Sequence, residues 1–180
     1  MGMYPDEPQL TLALLTRELR EPLLDMIADF RAAGEDRYDW IDEQFGRDFD
    51  GLLLLLDKQR RGIDLPAEHV PQTTFFLMND QQRILGGCRL RHGLHPRLRE
   101  WGGNIGYDIR PCERRKGYGT VQLSLALEKA RSVGLMRAML TCDATNLPSI
   151  KVITSNGGQF DDEYYLRRID ARVRRYWIEL

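Results

Sequence analysis

The sequence is poor in cysteine, in long apolar segments and in net charge, and each shortage excludes a class of protein. Its three cysteines, Cys88, Cys112 and Cys142, are odd in number and widely spaced, which fits neither a disulfide framework nor a zinc site. The longest apolar run, Leu52 to Leu56, is far shorter than the ~20 residues that span a bilayer. With 26 basic against 27 acidic residues, the chain lacks the excess of cations that general nucleic-acid binding requires.

The first residues also lack the pattern of a targeting signal. The segment MGMYPDEPQL contains acidic side chains and no apolar stretch of the kind found in secretory signal peptides. We therefore expect a cytoplasmic protein that does not enter a membrane.

What is present is the composition of an ordinary globular domain. Of the 180 residues, 42% are hydrophobic and 29% are charged, and a chain of this length buries roughly 70% of its unfolded surface. We predict one domain over residues 1–180. Within it, 1–70 hold an N-terminal strand and helices, 71–160 the core and 161–180 the C-terminal strands.

Hydrophobic periodicity predicts an α/β fold. Apolar residues from Leu19 to Phe30 recur at spacings of three and four, as on one face of a helix. The segment 35–44 is predicted as a short helix or loop, and 92–103 as a polar loop. Strands are predicted at 9–15, 73–78, 83–91, 104–109 and 137–142 with two more in the tail, and helices at 19–34, 48–61, 117–133 and 147–155. This order predicts a mixed, mostly antiparallel sheet with helices on both faces.

One segment carries chemistry, IGYDIRPCERRKGYG at 105–119. It leaves a predicted strand, continues as an arginine-rich loop and places Gly117 and Gly119 where a helix begins. Free N–H groups at a helix N-terminus favour an anion, and glycine lets the backbone approach a ligand closely. Arg114, Arg115 and Lys116 add positive charge, so that several charge-assisted hydrogen bonds of about 1.5–3 kcal/mol each would hold a pyrophosphate.

Two common phosphate-binding motifs do not fit this loop, because neither glycine is followed by lysine and no third glycine completes GxGxxG. The loop instead resembles the Arg/Gln-x-x-Gly-x-Gly/Ala motif of the GCN5-related N-acetyltransferase (GNAT) superfamily, matched by Arg114, Gly117 and Gly119. The order of elements is also similar, since a strand and then Asn146, opening a short helix, follow the loop. The resemblance covers residues 70–160 and, in outline, the helices before them.

The resemblance implies acetyl-CoA as the acyl donor and no metal. The amides of Arg115 to Thr120 would hold its pyrophosphate, and strand 107–109 would pair with the pantetheine arm where two strands splay apart. Asn146 would hydrogen-bond the pantetheine, with Ser149 on the same wall. The cofactor-binding residues that the resemblance implies are Ile109, Arg114, Arg115, Lys116, Gly117, Tyr118, Gly119, Thr120, Asn146 and Ser149.

Two catalytic positions of the family are substituted here. The tyrosine that many members place seven residues after the asparagine is Ile153, and the glutamate of histone-type members, fourteen residues before the first loop glycine, is Gly103. Substitutes must supply any acid or base that the transfer needs, and a water-mediated path without a single base is an alternative. The candidate catalytic residues are Asp108, Glu100, Asp143 and Tyr107, followed by His92 and His95. Since Tyr107 and Asp108 are neighbours on one strand, at most one of them faces the acceptor.

Two further features each have a functional and a structural interpretation. Cys142 could support an acyl relay, but a small buried side chain is the commoner role of such a cysteine. The C-terminal arginines, interleaved with aromatic residues, suit single-stranded RNA, but we favour an edge strand with a charged exposed face. These arginines are Arg167, Arg168, Arg172, Arg174 and Arg175.

We therefore predict an acetyl-CoA-dependent N-acetyltransferase, in which a primary amine of a small molecule or protein attacks the thioester directly. The alternative is a non-catalytic acyl-CoA-binding or sensor protein on the same fold, which the two substituted positions motivate. Neither a membrane nor a nucleic-acid partner is expected, whereas a homodimer paired through sheet edges is compatible with the prediction.

Overall fold

The computed structural model describes residues 9–180. The signal-peptide expectation concerns mainly residues 1–8, which lie outside the described part. The described strands are β1 Thr11–Leu14, β2 Gln72–Met78, β3 Ile84–Arg91, β4 Ile105–Ile109, β5 Arg137–Asp143, β6 Gln159–Leu166 and β7 Ala171–Glu179. The α-helices are α1 Arg20–Ala32, α2 Asp39–Phe45, α3 Phe49–Arg61, α4 Pro96–Glu100, α5 Tyr118–Ser132 and α6 Leu147–Ser155.

The strands form two antiparallel sheets. The first has the order β1-β2-β3-β4, and the second has the order β5-β7-β6. β4 and β5 are therefore the neighbouring edges of the two sheets, and they contact each other. The predicted α/β fold with mostly antiparallel strands and flanking helices is confirmed, and the structure adds that the strands divide at this boundary.

The first sheet separates two hydrophobic cores. On one face, helices α1 to α3 pack around a cluster that includes Phe30, Leu52 and Phe76. On the other face, α5 contributes Leu123 and Leu127 to a second cluster, which also contains residues of the second sheet. The two faces of β4 therefore have different surroundings. One face is turned towards α1–α3 and the other towards α5 and α6.

Local sequence signals set the ends of the helices that flank these surfaces. Asp48 caps α3 by accepting a hydrogen bond from the Gly51 N–H at 2.8 Å, and Gly62 ends that helix with a left-handed φ of 72°. Asn146 caps α6 in the same way, since its Oδ1 accepts from the Ser149 N–H at 3.1 Å. The predicted bounds of α6 agree with the structure, because Asn146 precedes the helix and Asn156 follows it.

A buried arginine anchors the end of β4 to α1. The Arg110 side chain is only 1% exposed, and its Nε donates to Asp29 Oδ2 at 2.6 Å. Its Nη1 lies 2.9 Å from Asp25 Oδ2 and donates to the Ile84 carbonyl at 3.1 Å. Cys112 Sγ donates to the same Asp29 oxygen at 2.7 Å. The loop that follows β4 thus leaves from a fixed point.

Two predictions about individual segments are wrong. The arginine-rich C-terminal strand, expected at a sheet edge, is β7 and lies between β5 and β6. It is central because its arginines pair with acidic residues of β6, as Arg174 Nε does with Glu163 at 2.8 Å. Segment 92–103, expected to be loop, contains the short helix α4, which has a proline in its first turn. Within residues 9–180, no helix is both long and apolar enough to cross a bilayer.

Candidate functional site

The boundary between β4 and β5 is closed at the start of β4. The Asn104 N–H donates to the Met139 carbonyl at 2.7 Å, and Asn104 Oδ1 accepts from the Met139 N–H at 2.9 Å. The Gly102 N–H donates to Thr141 Oγ1 at 2.8 Å. Farther along, the described β4 and β5 share no ladder, since each pairs only within its own sheet. An open boundary of this kind presents unpaired backbone groups to an extended ligand.

Close packing at the closed end explains why residue 103 is a glycine. Gly103 has a left-handed φ of 59°, and a Cβ there would lie 2.2 Å from the Met139 carbonyl oxygen. No side chain fits between the strands at this point. The position at which the resemblance places a glutamate therefore belongs to the junction of the sheets in this chain.

The arginine-rich loop presents its backbone at the N-terminus of α5. Arg115 and Gly117 have positive φ angles of 63° and 86°, which turn the chain sharply into the helix. The Arg114 amide donates to the Pro111 carbonyl at 3.3 Å, and the next amide with a backbone acceptor is that of Thr120, bonded to the Gly117 carbonyl at 3.0 Å. Within the described residues, the amides from Arg115 to Gly119 have no such acceptor. These free donors lie at the positive end of a 15-residue helix, an arrangement that favours an anion.

The basic side chains of the loop are largely committed elsewhere. Arg114 donates with both terminal nitrogens to Glu35, at 2.7 and 2.8 Å, and with Nε to the Ile109 carbonyl. Lys116 Nζ donates to Glu113 at 2.8 Å. The hydrogen bond from Arg114 is the largest cause that lowers the pKa of Glu35 below its ordinary value. Arg114 and Lys116 thus hold the loop in place, whereas the backbone amides from Arg115 to Gly119 stay free of backbone acceptors within residues 9–180.

Gly119 brings α5 close to the open boundary. A Cβ at this position would lie 3.3 Å from Val152 and 3.8 Å from Ile109. The glycine therefore lets the first turn of α5 pack against both α6 and the end of β4. Tyr118 and Thr120, on either side of it, are partly buried in the same turn.

Tyr107 bridges the open boundary from β4 to α6. Its hydroxyl lies 3.0 Å from Ser149 Oγ and 3.3 Å from the Ser149 carbonyl oxygen. Burial is the main cause that raises the pKa of Tyr107 to about 12, so the hydroxyl keeps its proton at neutral pH. Ile153, one turn after Ser149, is fully buried in the core and offers no polar group. Tyr107 of β4 therefore places a hydroxyl beside α6, whereas Ile153 of α6 itself offers none.

Asp108 faces the opposite side of β4, as the alternation along a strand predicts. Its side chain is buried, and Oδ1 accepts from the Tyr38 hydroxyl at 2.7 Å and from the Gly87 N–H at 3.2 Å. Oδ2 accepts from Arg89 at 3.1 Å and lies 3.8 Å from Arg37. A carboxylate has about four acceptor sites, and these three hydrogen bonds use most of them.

The structure disperses the other candidate catalytic residues. The Glu100 side chain is exposed at the end of α4, where its carbonyl accepts from the Tyr164 hydroxyl at 2.5 Å. Asp143 closes a turn by accepting from the Thr145 N–H at 2.7 Å, and the side-chain hydrogen bond from Thr145 lowers its pKa.

The remaining candidates from the sequence are the two histidines and Cys142. His92 Nε2 lies 2.8 Å from Thr73 Oγ1, and burial lowers its pKa. His95 precedes α4 as its N-cap. Cys142 is buried, and burial raises its thiol pKa. Within residues 9–180, no group of three or more His, Cys, Asp or Glu side chains is placed to hold a metal ion.

Sequence reasoning missed a cavity on the side of α1–α3. It has a volume of about 90 Å³ and lies between α2, α3 and the first sheet. One wall is apolar and includes Trp40, Ile41 and Leu56, whereas the other includes Gln72, Thr74 and Arg89. These residues come from segments that are far apart in the chain, so no local motif announces the cavity.

Several solved structures with this architecture are acetyltransferases by name. RimL, a ribosomal L7/L12 alpha-N-protein acetyltransferase in complex with coenzyme A, aligns with a TM-score of 0.68 at 14% identity, covering 98% of this chain and 97% of that one. A putative ribosomal-protein-serine acetyltransferase from Vibrio cholerae aligns with a TM-score of 0.64 at 18% identity, covering 99% and 100%. The dodecameric spermidine N-acetyltransferase of Vibrio cholerae aligns at 0.60 with 17% identity, covering 95% and 94%. At these identities, the alignments define the fold.

The sequence itself matches a family model, the acetyltransferase (GNAT) domain, over residues 10–159. The chain therefore belongs to the GNAT family of acetyltransferases. None of the curated proteins matches it.

Proposed function

We propose that this GNAT protein is an acetyl-CoA-dependent N-acetyltransferase, acting on a primary amine of a small molecule or protein. The observation that carries the proposal is the pairing of two features around β4. The free amides from Arg115 to Gly119 lie at one end of the open β4/β5 boundary, and the Tyr107 hydroxyl lies inside it. An anion-binding helix start beside an open strand edge fits a ligand with a pyrophosphate and an extended, amide-bearing arm.

The residues of the boundary have distinct tasks in this proposal. The amides from Arg115 to Gly119, with Gly117 and Gly119 allowing close approach, hold the pyrophosphate, while the Thr120 amide stays bonded to the Gly117 carbonyl. The backbone of β4 up to Ile109 pairs with the pantetheine arm. Asn146 uses Oδ1 to cap α6, which leaves its amide nitrogen to donate to the same arm beside Ser149.

The Tyr107 hydroxyl is proposed to donate a hydrogen bond to the sulfur of the leaving thiolate. A phenol whose pKa is about 12 does not transfer its proton fully to a thiolate, whose conjugate acid has a pKa of about 8.5. It stabilises the developing negative charge instead, which is where such a donor lowers the barrier. Ser149 fixes the direction of the hydroxyl. Acetyl-CoA supplies the acetyl group, and the amine gives up a proton as the amide bond forms.

Asp108 lies on the face of β4 that is turned towards α1–α3, where we place the amine substrate. Asp108 is proposed to hold this face, called the acceptor side of β4, in place. Its three hydrogen bonds and its ion pair with Arg37 engage most of the carboxylate, and they link the N-cap of α2, β3 and the segment after α1. We accordingly assign the removal of the amine proton to water. Glu100 and Asp143, at the ends of α4 and β5, stay secondary candidates for contact with the acceptor.

The donor site is tested by thermal unfolding with and without acetyl-CoA. At 100 times its dissociation constant, a ligand stabilises the folded state by about 2.7 kcal/mol, which is a visible shift in melting temperature. We expect this shift in the native protein and its loss in Gly117→Asp, because a carboxylate would then occupy the start of α5.

The matched control is Gly134→Asp at the other end of α5. Gly117 and Gly134 both have a φ of 86°, and neither has an atom within 4 Å of its Cβ position. The two variants thus share the same backbone strain and the same added charge. An undiminished shift in Gly117→Asp, or an equal loss in both variants, would contradict the assignment. A shift without acetylation of any amine would support the non-catalytic sensor instead.

The role of Tyr107 is tested by Tyr107→Phe. Removing the hydroxyl is expected to lower kcat about 100-fold, while stabilisation by acetyl-CoA stays near the native value. Because burial holds the pKa of Tyr107 near 12, native activity should not decline through this group below about pH 10. Steady-state kinetics against pH measure both effects. Tyr165→Phe, at an exposed tyrosine of β6, is the control, and equal kcat values in the two variants would rule out the assignment.

A further inference from the structure

Two arginines of β3 point to the same spot on the acceptor side of β4. Arg89 and Arg91 alternate along the strand and therefore share a face. A Cβ at Gly106 would lie 3.6 Å from Arg91 Nη1 and 3.9 Å from Arg89 Nε. Because Gly106 has no side chain, both guanidinium groups lie over the bare backbone of β4.

The positive charge at this spot is only partly neutralised. Arg89 is paired with Asp108, which it shares with Arg37. Arg91 donates only to the carbonyls of Gly102 and Gly103, at 3.0 and 3.2 Å, and within residues 9–180 no carboxylate lies at salt-bridge distance from it. Burial and the neighbouring Arg89 lower the pKa of Arg91 to about 10. A partly buried guanidinium that lacks an anionic partner is costly unless a ligand supplies one.

The surroundings of the two arginines show what else such a ligand carries. Arg89 lines the cavity of about 90 Å³, whose opposite wall includes Trp40 and Leu56. Gln72 and Thr74, which pair with Arg91 and Arg89 in the β2–β3 ladder, extend the polar wall. The ligand therefore meets the arginines, the Gln72 amide and the Thr74 hydroxyl on one side and a small apolar space on the other.

We propose that Arg89 and Arg91 bind a carboxylate of the acceptor, so that the substrate class is small amines that carry both a carboxylate and an apolar group, such as aliphatic α-amino acids. This inference rests on the proposed function, since it concerns the acceptor of the same reaction. Gly106 directly precedes Tyr107, so a carboxylate held over Gly106 places the neighbouring amine beside the open boundary. An acceptor with several ammonium groups would instead meet uncompensated arginines and be disfavoured.

Binding of an uncharged and a charged product analogue tests the inference without relying on turnover. Isothermal titration calorimetry is performed with N-acetyl-L-leucine and with N-acetyl-L-leucinamide, which differ in the carboxylate but contain no amine whose protonation could confuse the comparison. One charge-assisted contact is worth about 1.5–3 kcal/mol, so the native protein should bind the acid at least ~10-fold more tightly.

Substitutions of Arg89 and Arg91 test whether these two arginines cause the preference for the acid. In Arg91→Met and in Arg89→Met, the preference for the acid should fall to about threefold or less, whereas Arg91→Lys, which keeps the charge, should restore part of it. Arg97→Met removes an exposed arginine of α4, paired with Glu68, and should leave the preference unchanged. Two methionine variants are used so that one misfolded protein does not decide the result.

The possible outcomes separate this inference from the proposed function. Equal binding of the acid and the amide by the native protein, or an acid preference that survives both methionine variants, overturns the arginine site. Acetyl transfer to leucinamide as efficient as to leucine overturns it as well. If no amine is acetylated yet the acid is bound through Arg89 and Arg91, the carboxylate site stands and the acetyltransferase activity fails.

Discussion

Replacing Gly103 by alanine is expected to lower the free energy of unfolding by roughly 4 kcal/mol or more, which only severe packing errors do. Two costs add at this position. An alanine with φ near 59° adopts the left-handed region at a cost of about 1 kcal/mol, and its Cβ would lie 2.2 Å from the Met139 carbonyl oxygen. The clash is with backbone, so it is relieved only if β5 moves away from β4. Urea unfolding measures the loss, which is large compared with the typical 5–15 kcal/mol of a whole domain.

Gly134→Ala provides the matched control for this variant. Gly134 also has a positive φ, 86°, but no atom lies within 4 Å of its Cβ position. Its loss of stability isolates the backbone cost, and the excess loss in Gly103→Ala isolates the crowding. Equal losses in the two variants would show that the two sheets are not closely packed at Asn104 and Met139. For the same reason, the substitution Gly103→Glu should unfold the protein and not add a catalytic base.

Truncation of Arg110 is expected to have the second largest effect, a loss of about 3–5 kcal/mol in Arg110→Ala. The guanidinium is 1% exposed and bonded to Asp29, to Asp25 and to the Ile84 carbonyl, so its removal leaves unpaired groups and a cavity. Arg110→Met fills most of the same volume and should lose less. Asp25→Asn alters the more exposed partner, whose side chain is 61% exposed, and should change stability little. A loss in Arg110→Ala no larger than in Asp25→Asn would show that this anchor does not stabilise the fold.

The same cluster predicts how stability depends on pH. Burial alone would raise the pKa of Asp29, but the hydrogen bonds from Cys112 and Arg110 outweigh it, so the folded-state pKa lies below the ordinary value. The unfolded state then binds more protons near pH 4, and stability from this carboxylate is lost as pH falls through that region. The native protein should therefore lose stability below about pH 4 more steeply than Arg110→Met. Parallel urea titrations at several pH values measure the difference.

Much of the fold could be predicted because local signals and hydrophobic periodicity agree. Leu147–Ser155 was predicted as a helix because Asn146 starts it and Asn156-Gly157 follows it, and the structure has these bounds. The position of β7 in its sheet was predicted wrongly, as an edge, because strand order depends on partners that are distant in sequence. Acidic residues at 161–163 face arginines of β7, and this charge complementarity was a signal that would have placed β7 beside β6.

The candidate site could likewise be predicted only in part. The loop from Arg114 to Gly119 could be predicted because glycine spacing reports what the backbone does, and the backbone amides are the free donors there. The partners of Tyr107 and Asp108 could not, because they depend on which elements cover each face of β4. Arg89 and Arg91 were missed because their meeting over Gly106 follows from the β3–β4 register, which no local pattern gives.

The division of the strands at β4 and β5 also has a consequence for biosynthesis. Every strand of the first sheet has been synthesised once residue 109 is made, whereas the second sheet starts at residue 137. At about 5–20 residues per second, the segment from the end of β4 to the end of β5 takes roughly 2–7 s to translate. During this interval, a nascent chain that has folded its first sheet carries β4 as an uncovered edge, the kind of surface on which unwanted strand pairing begins. Asn104, which receives Met139 only when β5 arrives, then ends that exposure at the start of β4.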